Sequence, residues 1–315
     1  MTHSPSPARS GLLLLACALL TILVAGCTAT TVRPVQESSE RLAALKEIAA
    51  SQDNGKLEDL SYDELITRAD SFRVSGNDQL ARMHYALALK KMPDSIPALM
   101  GLGAVFQKNG DQRRALGFYT QVVEKNPTHA PALAAIGIIY REQGDLGQAE
   151  VYLGRALAAQ PGDAAILSEL GITYDKAGKE ALAEPLYRQV TVLRPDSALA
   201  WNNLGFNALL QKKYDRAVEA LQQAMSRAPR DKRIINNLAL ALALRGDEER
   251  AFSLLVNSVG KAGAHNNLGY IFMTNGQFDK AEKSFQRAME EDTRYYVRAK
   301  ENLDRLKLLR ESARR

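Results

Sequence analysis

Seven alanines recur along the chain at near-constant spacing, and that regularity leaves few folds open. They are Ala81, Ala115, Ala149, Ala183, Ala217, Ala251 and Ala281. Twelve residues before each stands another small residue: Ala69, Gly103, Gly137, Gly171, Gly205, Ala239 and Gly269. Successive members are 34 residues apart, except for the last interval of 30. Four residues after each alanine comes a large side chain: Tyr85, Tyr119, Leu153, Tyr187, Leu221, Leu255 and Phe285. Pro93, Pro127, Pro161, Pro195 and Pro229 close five of the units. A repeat of this length is one supersecondary unit that cannot bury its apolar face alone, so neighbours must stack. Small residues suit places where two helices approach closely. Gly76, Gly110, Gly144, Gly178, Gly246 and Gly276 suit the position just past a helix end.

The pattern resembles the tetratricopeptide repeat. That repeat has a 34-residue period, W-x₂-L-G on its first helix, A-x₃-F on its second, and a closing proline. Trp201, Leu204 and Gly205 stand in the first part of that register, and the seven alanines stand in the second. The resemblance implies an all-α TPR α-solenoid, a superhelix of about seven helix-turn-helix repeats with a C-terminal capping helix. The units expected are 62–95, 96–129, 130–163, 164–197, 198–231, 232–261 and 262–295. The 46% apolar and 6% aromatic composition suits packed helices better than a β-sandwich. The sixth unit lacks four residues near Ser258–Ala262, so a shortened second helix or a tighter link is expected there. Residues 296–315 are expected to form a basic capping helix and tail, with Val297, Leu303, Leu306 and Leu309 along one stripe.

The amino terminus has a different character. A short polar stretch ending in Arg9 precedes an apolar run from Gly11 to Val24, which is shorter than the roughly 20 residues that span a bilayer. This is the arrangement of a secretory signal. The run ends in Val24-Ala25-Gly26-Cys27, which resembles the bacterial lipobox. The resemblance implies a signal peptide over 1–26 and acylation of Cys27, a covalent lipid with no other cofactor. Cys17 is then lost with the signal, which leaves no free thiol and suits an oxidising periplasm. Thr28 in place of Asp implies sorting to the outer membrane. Residues 27–61 read as a tether, with a possible short helix near Leu42, Leu45 and Ile48.

The formal charge of +5 is concentrated at one end. Arg294 to Arg315 holds eight basic and three acidic residues, and the first 27 residues hold Arg9 and no acid, so the body carries about −1. A near-neutral body with a basic end does not describe a nucleic-acid-binding protein. No phosphate-binding glycine loop, no G-x-S-x-G and no clustered metal ligands occur in the sequence, so no enzyme is read from it.

The expected binding residues lie on first helices. The string Asn-Asn-Leu followed by Gly or Ala occurs three times at one register: Asn202 and Asn203, Asn236 and Asn237, Asn266 and Asn267. An asparagine amide both donates and accepts, so it pairs with a peptide bond whatever the sequence. Asn203, Asn237 and Asn267 would follow an extended peptide, with Phe206, Leu240 and Tyr270 adding apolar pockets. The competing reading is that these asparagines cap or bridge neighbouring helices, or reflect recent duplication of the repeat.

Lipobox, tether and repeats together resemble the TPR lipoproteins of pilus systems, most closely the TadD-type lipoprotein of the tight-adherence (Flp) pilus. The carrying stretches are WNNLGFNALLQKKYDRAVEALQQA, IINNLALALALRGDEERA, HNNLGYIFMTNGQFDKAEKSFQRAMEED and RYYVRAKENL. The resemblance implies a non-enzymatic, periplasm-facing outer-membrane adaptor. Its partner would be a secretin or another pilus component. The alternatives are a pilotin-like TPR lipoprotein of type IV pili and a TPR lipoprotein scaffold for peptidoglycan or outer-membrane biogenesis.

Overall fold

The computed structural model describes residues 57, 59–292 and 296–312. The signal segment, Cys27 and most of the tether fall outside the described residues. Fourteen helices follow one another among those residues, with no strand. They run in hairpins: α1 (Tyr62–Val74) with α2 (Asp78–Lys91), α3 (Ile96–Lys108) with α4 (Gln112–Lys125), and α5 (Ala130–Glu142) with α6 (Leu146–Ala159). Then come α7 (Ala164–Lys176) and α8 (Glu180–Leu193), α9 (Ala198–Leu210) and α10 (Tyr214–Arg227), and α11 (Lys232–Arg245). The last are α12 (Glu248–Thr274), α13 (Phe278–Glu291) and α14 (Tyr296–Ser312).

Local chemistry sets the ends of these helices. Ser61 opens α1 with a reciprocal capping box: the Glu64 amide donates to Ser61 Oγ and the Ser61 amide donates to Glu64 Oε2 at 2.8 Å. Ser95, Ser197 and Asp231 cap later first helices, and Asn77, Asp111 and Asp145 cap second helices. Each of the six glycines named above adopts positive φ, between 69° and 99°, as a left-handed helix end requires. The fifth hairpin has no such glycine, and Lys212 takes the conformation instead at φ 58°.

Packing explains the small residues. A Cβ on Gly103 would lie 2.5 Å from the Tyr119 ring, and one on Gly205 would lie 2.6 Å from Leu221. The small residue of a first helix therefore seats the large residue of its own second helix. Two compact units result, with the division after Thr173 inside α7. The first unit buries Leu65, Tyr85, Leu102, Val105, Phe106, Tyr119 and Ile139. The second buries Leu221, Leu238, Leu242, Leu255, Leu268, Phe272 and Phe285.

The structure refines two expectations. The four missing residues of the sixth unit correspond to a break at Gly260, with φ 75° and ψ 173°, inside α12. The links that follow α8 and α10 span residues 194–197 and 228–231. At the C-terminus the expected stripe is rotated. Ala299 and Leu306 are buried and Leu303 packs against the second core, whereas Val297 is 64% exposed and Leu309 is 39% exposed. Positions 299, 303 and 306 follow an i, i+4, i+7 spacing, so the buried face of α14 is centred on them. Arg310 completes the seat by pairing with Asp279 at 2.7 Å and Glu282 at 3.1 Å, both on α13. Among the described residues no helix is long and apolar enough to cross a membrane.

Candidate functional site

The six asparagines separate into two groups by burial. Asn237 is 7% exposed and donates from Nδ2 to Asn202 Oδ1 at 2.9 Å, joining α11 to α9. Asn266 is 5% exposed and accepts from Asn302 Nδ2 at 3.0 Å, joining α12 to α14. A buried amide needs a partner, and the neighbouring helix supplies it. Asn203, Asn236 and Asn267 are half-buried and bond no other side chain among the described residues. The row of Asn203, Asn237 and Asn267 is therefore interrupted: Asn237 is a helix bridge, while the other two keep unspent amides. Phe206, Leu240 and Tyr270 are partly buried against the core of the second unit. Burial pushes the Tyr270 phenol up from its ordinary pKa.

At the corresponding place on α7, in the first unit, the structure holds an ion pair. Glu169 meets Arg141 Nη2 at 2.7 Å, and the Arg141 side chain is 10% exposed. Arg141 Nε and Nη1 are buried without a hydrogen-bond partner. The asparagine register does not extend to that surface.

A polar network that the repeat pattern did not reveal runs through the second unit. Asp175 accepts from Tyr187 Oη at 2.9 Å and from Asn207 Nδ2 at 2.6 Å. Asn207 is fully buried, donates also to the Glu180 carbonyl, and accepts from Gln211 Nε2 at 2.6 Å. Gln211 Nε2 also reaches Glu184 Oε2 at 3.1 Å. Glu184 pairs with Lys213 at 2.8 Å, Arg188 at 2.7 Å and Arg216 at 3.5 Å. Hydrogen bonds from Lys213 and Arg188 draw the Glu184 carboxyl down to about 2. Desolvation pushes Asp175 up to about 6, against the hydrogen bonds of Asn207 and Tyr187. The tyrosine that follows the repeat alanine bonds the end of its first helix in another hairpin too, Tyr119 Oη donating to Gln107 Oε1 at 3.0 Å.

Beside this network lies a cavity of about 610 Å³ between α8, α9 and α10. Trp201, Leu204, Ala208 and Ala220 give its apolar lining; Glu184, Arg188, Lys213, Arg216 and Glu219 give its charged lining. Trp201 is fixed from outside, since its Nε1 donates to the Pro195 carbonyl at 2.9 Å and Arg227 lies 5.1 Å from its ring centroid. Among the described residues no group of three or more His, Cys, Asp or Glu could hold a metal ion.

Tetratricopeptide repeat family models match residues 97–129, 118–151, 140–204, 198–231 and 262–295, together more than half of the chain. The chain is a tetratricopeptide repeat protein. No curated protein matches it. A solved tetratricopeptide repeat protein from Parabacteroides merdae is similar at 21% identity and TM-score 0.57, covering 78% of this chain and 98% of its own. Pseudomonas aeruginosa pilF is similar at 19% identity and TM-score 0.57, over 64% of this chain and 92% of its own. YrrB, described as a TPR protein with an unusual peptide-binding site, is similar at 18% identity and TM-score 0.51, over 59% and 96%. These likenesses establish the fold, and TPR proteins generally serve as protein-interaction adaptors.

Proposed function

We propose that this TPR protein is a non-enzymatic adaptor, lipid-anchored at Cys27 to the outer membrane and facing the periplasm. It holds an extended segment of a pilus or secretion component, in the manner of the tight-adherence pilus lipoproteins its sequence resembles. The observation that carries the binding role is the pair of unspent, half-buried amides of Asn203 and Asn267. Each lies one helical turn from a partly buried aromatic, Phe206 or Tyr270. Amide and ring together suit a peptide backbone and its flanking side chain. The likeness to YrrB supports the same reading, since that protein is described as having an unusual peptide-binding site. The anchor and its membrane rest on the Val24 to Cys27 motif.

The test is crosslinking capture from bacterial envelopes, with acylated protein as bait. Recovery of a secretin or another pilus component is the expected result. Cell-wall synthases or outer-membrane insertion machinery in its place would overturn the pilus assignment. Replacing Asn203 and Asn267 together with Ala should weaken capture by about 30-fold, since each net hydrogen bond contributes about 1 kcal/mol. Helicity should not change. Undiminished capture would remove the groove from the proposal.

A further inference from the structure

The cavity occupies a place that other repeats of the same chain fill with aromatic rings. Number each unit from the first residue of its span given above, 62, 96, 130, 164, 198, 232 and 262. The eleventh and twenty-third residues are Phe72 and His84 in the first unit, Phe106 and Phe118 in the second, and Tyr140 and Tyr152 in the third. These pairs are in ring contact, with centroids 5.0, 5.6 and 5.5 Å apart. The fifth unit has Ala208 and Ala220 at those two positions, and both line the cavity.

A cation accompanies the ring in two repeats and stands without it here. At the nineteenth position, Arg114 lies 4.3 Å from the Phe106 centroid and Lys280 lies 5.6 Å from the Phe272 centroid. The fifth unit has Arg216 at this position, with Ala208 where the ring would be. Arg216 lines the cavity, its side chain is 59% exposed, and its ion pair is the 3.5 Å contact with Glu184. A guanidinium over an aromatic face is a favourable contact. The sixth unit also has a cation without a ring, Arg250 with Leu242, but there the position is filled by leucine and Arg250 pairs with Asp247; in the fifth unit alanine leaves the space beside Arg216 open.

We propose that this slot receives one aromatic side chain, Phe or Tyr, from a protein partner, with Arg216 over its ring and Leu204, Ala208 and Ala220 beneath it. The volume falls within the roughly 300–1,000 Å³ of ligand sites. Residues 1–56 contain no Phe, Tyr or Trp, and Tyr295, the other aromatic outside the described residues, follows α13 in sequence rather than the helices that form the slot, so the ring is assigned to another chain. The proposal deepens the adaptor reading and rests on it for the partner. The pocket itself is tested separately.

Trp201 is the single tryptophan and lines the slot, so its fluorescence reports occupancy. The probe is N-acetyl-phenylalaninamide, with N-acetyl-leucinamide as control. The full chain should give a saturable change with the phenylalanine probe, half-complete on the order of 1 mM for a ligand this small. The leucine control should give none. Arg216→Ala should weaken the response about 2- to 5-fold. The double variant Ala208→Phe with Ala220→Phe restores the pair of the second unit. It should abolish the response while keeping helicity, with a melting temperature at or above that of the parent. No saturable response, an equal response to leucine, or a response that survives slot filling would each overturn the proposal. If the double variant fails to fold, Arg216→Ala and the leucine control decide the matter alone. Used as bait on envelopes, the slot-filled protein should lose its partner about 10-fold. Capture that survives slot filling but falls in the Asn203 and Asn267 variant overturns the slot alone. The reverse result overturns the groove alone.

Discussion

Asp175 accepts two hydrogen bonds and still holds its proton more tightly than a free aspartate does. Burial is the larger effect, and the Glu180 carboxylate adds to it. The folded value of about 6 lies above the ordinary aspartate value of 3.8. Between these limits the folded chain binds more protons than the unfolded chain. Stability from this group is therefore complete below about pH 4 and is lost as pH rises through 6. Asp175→Asn removes the titration and keeps the shape. Urea midpoints at pH 4.5 and 7 should show a difference in the parent, on the order of 1–3 kcal/mol, that is smaller in the variant. Equal differences in both proteins would mean that Asp175 is ionised throughout. Glu184 acts in the opposite sense and in another window. Its folded value of about 2 lies below the ordinary glutamate value of 4.5, so its stabilisation is present above 4.5 and is lost as pH falls toward 2. The two groups are separable by pH even though Asn207 and Gln211 connect them.

Helix positions were legible because the small-residue and alanine pattern repeats at a fixed register, and close packing allows no other reading. The face a helix turns toward its neighbour was less legible. One residue is about 100° of rotation, so an Asn-Asn pair does not say which amide reaches the next helix. Asn237 turned inward to Asn202, while Asn203 on the other helix did not. The same rotation separates the expected stripe of α14 from the one that is buried. The link inside α12 belongs at this scale too. Gly260 has positive φ with extended ψ, a region open essentially to glycine alone. Gly260→Ala should cost about 1–3 kcal/mol in a urea melt. Gly154 is the control. It lies inside α6 at an ordinary helical position, and an added Cβ would meet nothing within 4 Å. Gly154→Ala should stabilise by about 0.5–1 kcal/mol. A neutral Gly260→Ala would show that the break between the two halves of α12 does not depend on glycine.

At the scale of the whole molecule, the cavity was half legible. Ala208 and Ala220 mark the missing rings in the sequence, but an open-mouthed cavity needs three helices to define it, and no single helix shows it. Membrane attachment is argued from the other end of the chain. Each buried methylene of an acyl chain contributes about 0.8 kcal/mol, so the several chains proposed on Cys27 would hold the protein at a bilayer without help from the repeats. Two other attachments make different predictions. The apolar run from Gly11 to Val24 would hold an uncleaved chain whatever the salt. The basic segment from Arg294 to Arg315 would hold it through about 1 kcal/mol per cation, screened by salt. Arg310 is already engaged by Asp279 and Glu282, which weakens that second route. Cys27→Ser should therefore move the protein from the membrane pellet to the soluble fraction at both low and high salt. Retention at low salt with release at high salt would assign attachment to the basic end. Retention at both would assign it to the apolar run, and the acylated cysteine would no longer be the anchor.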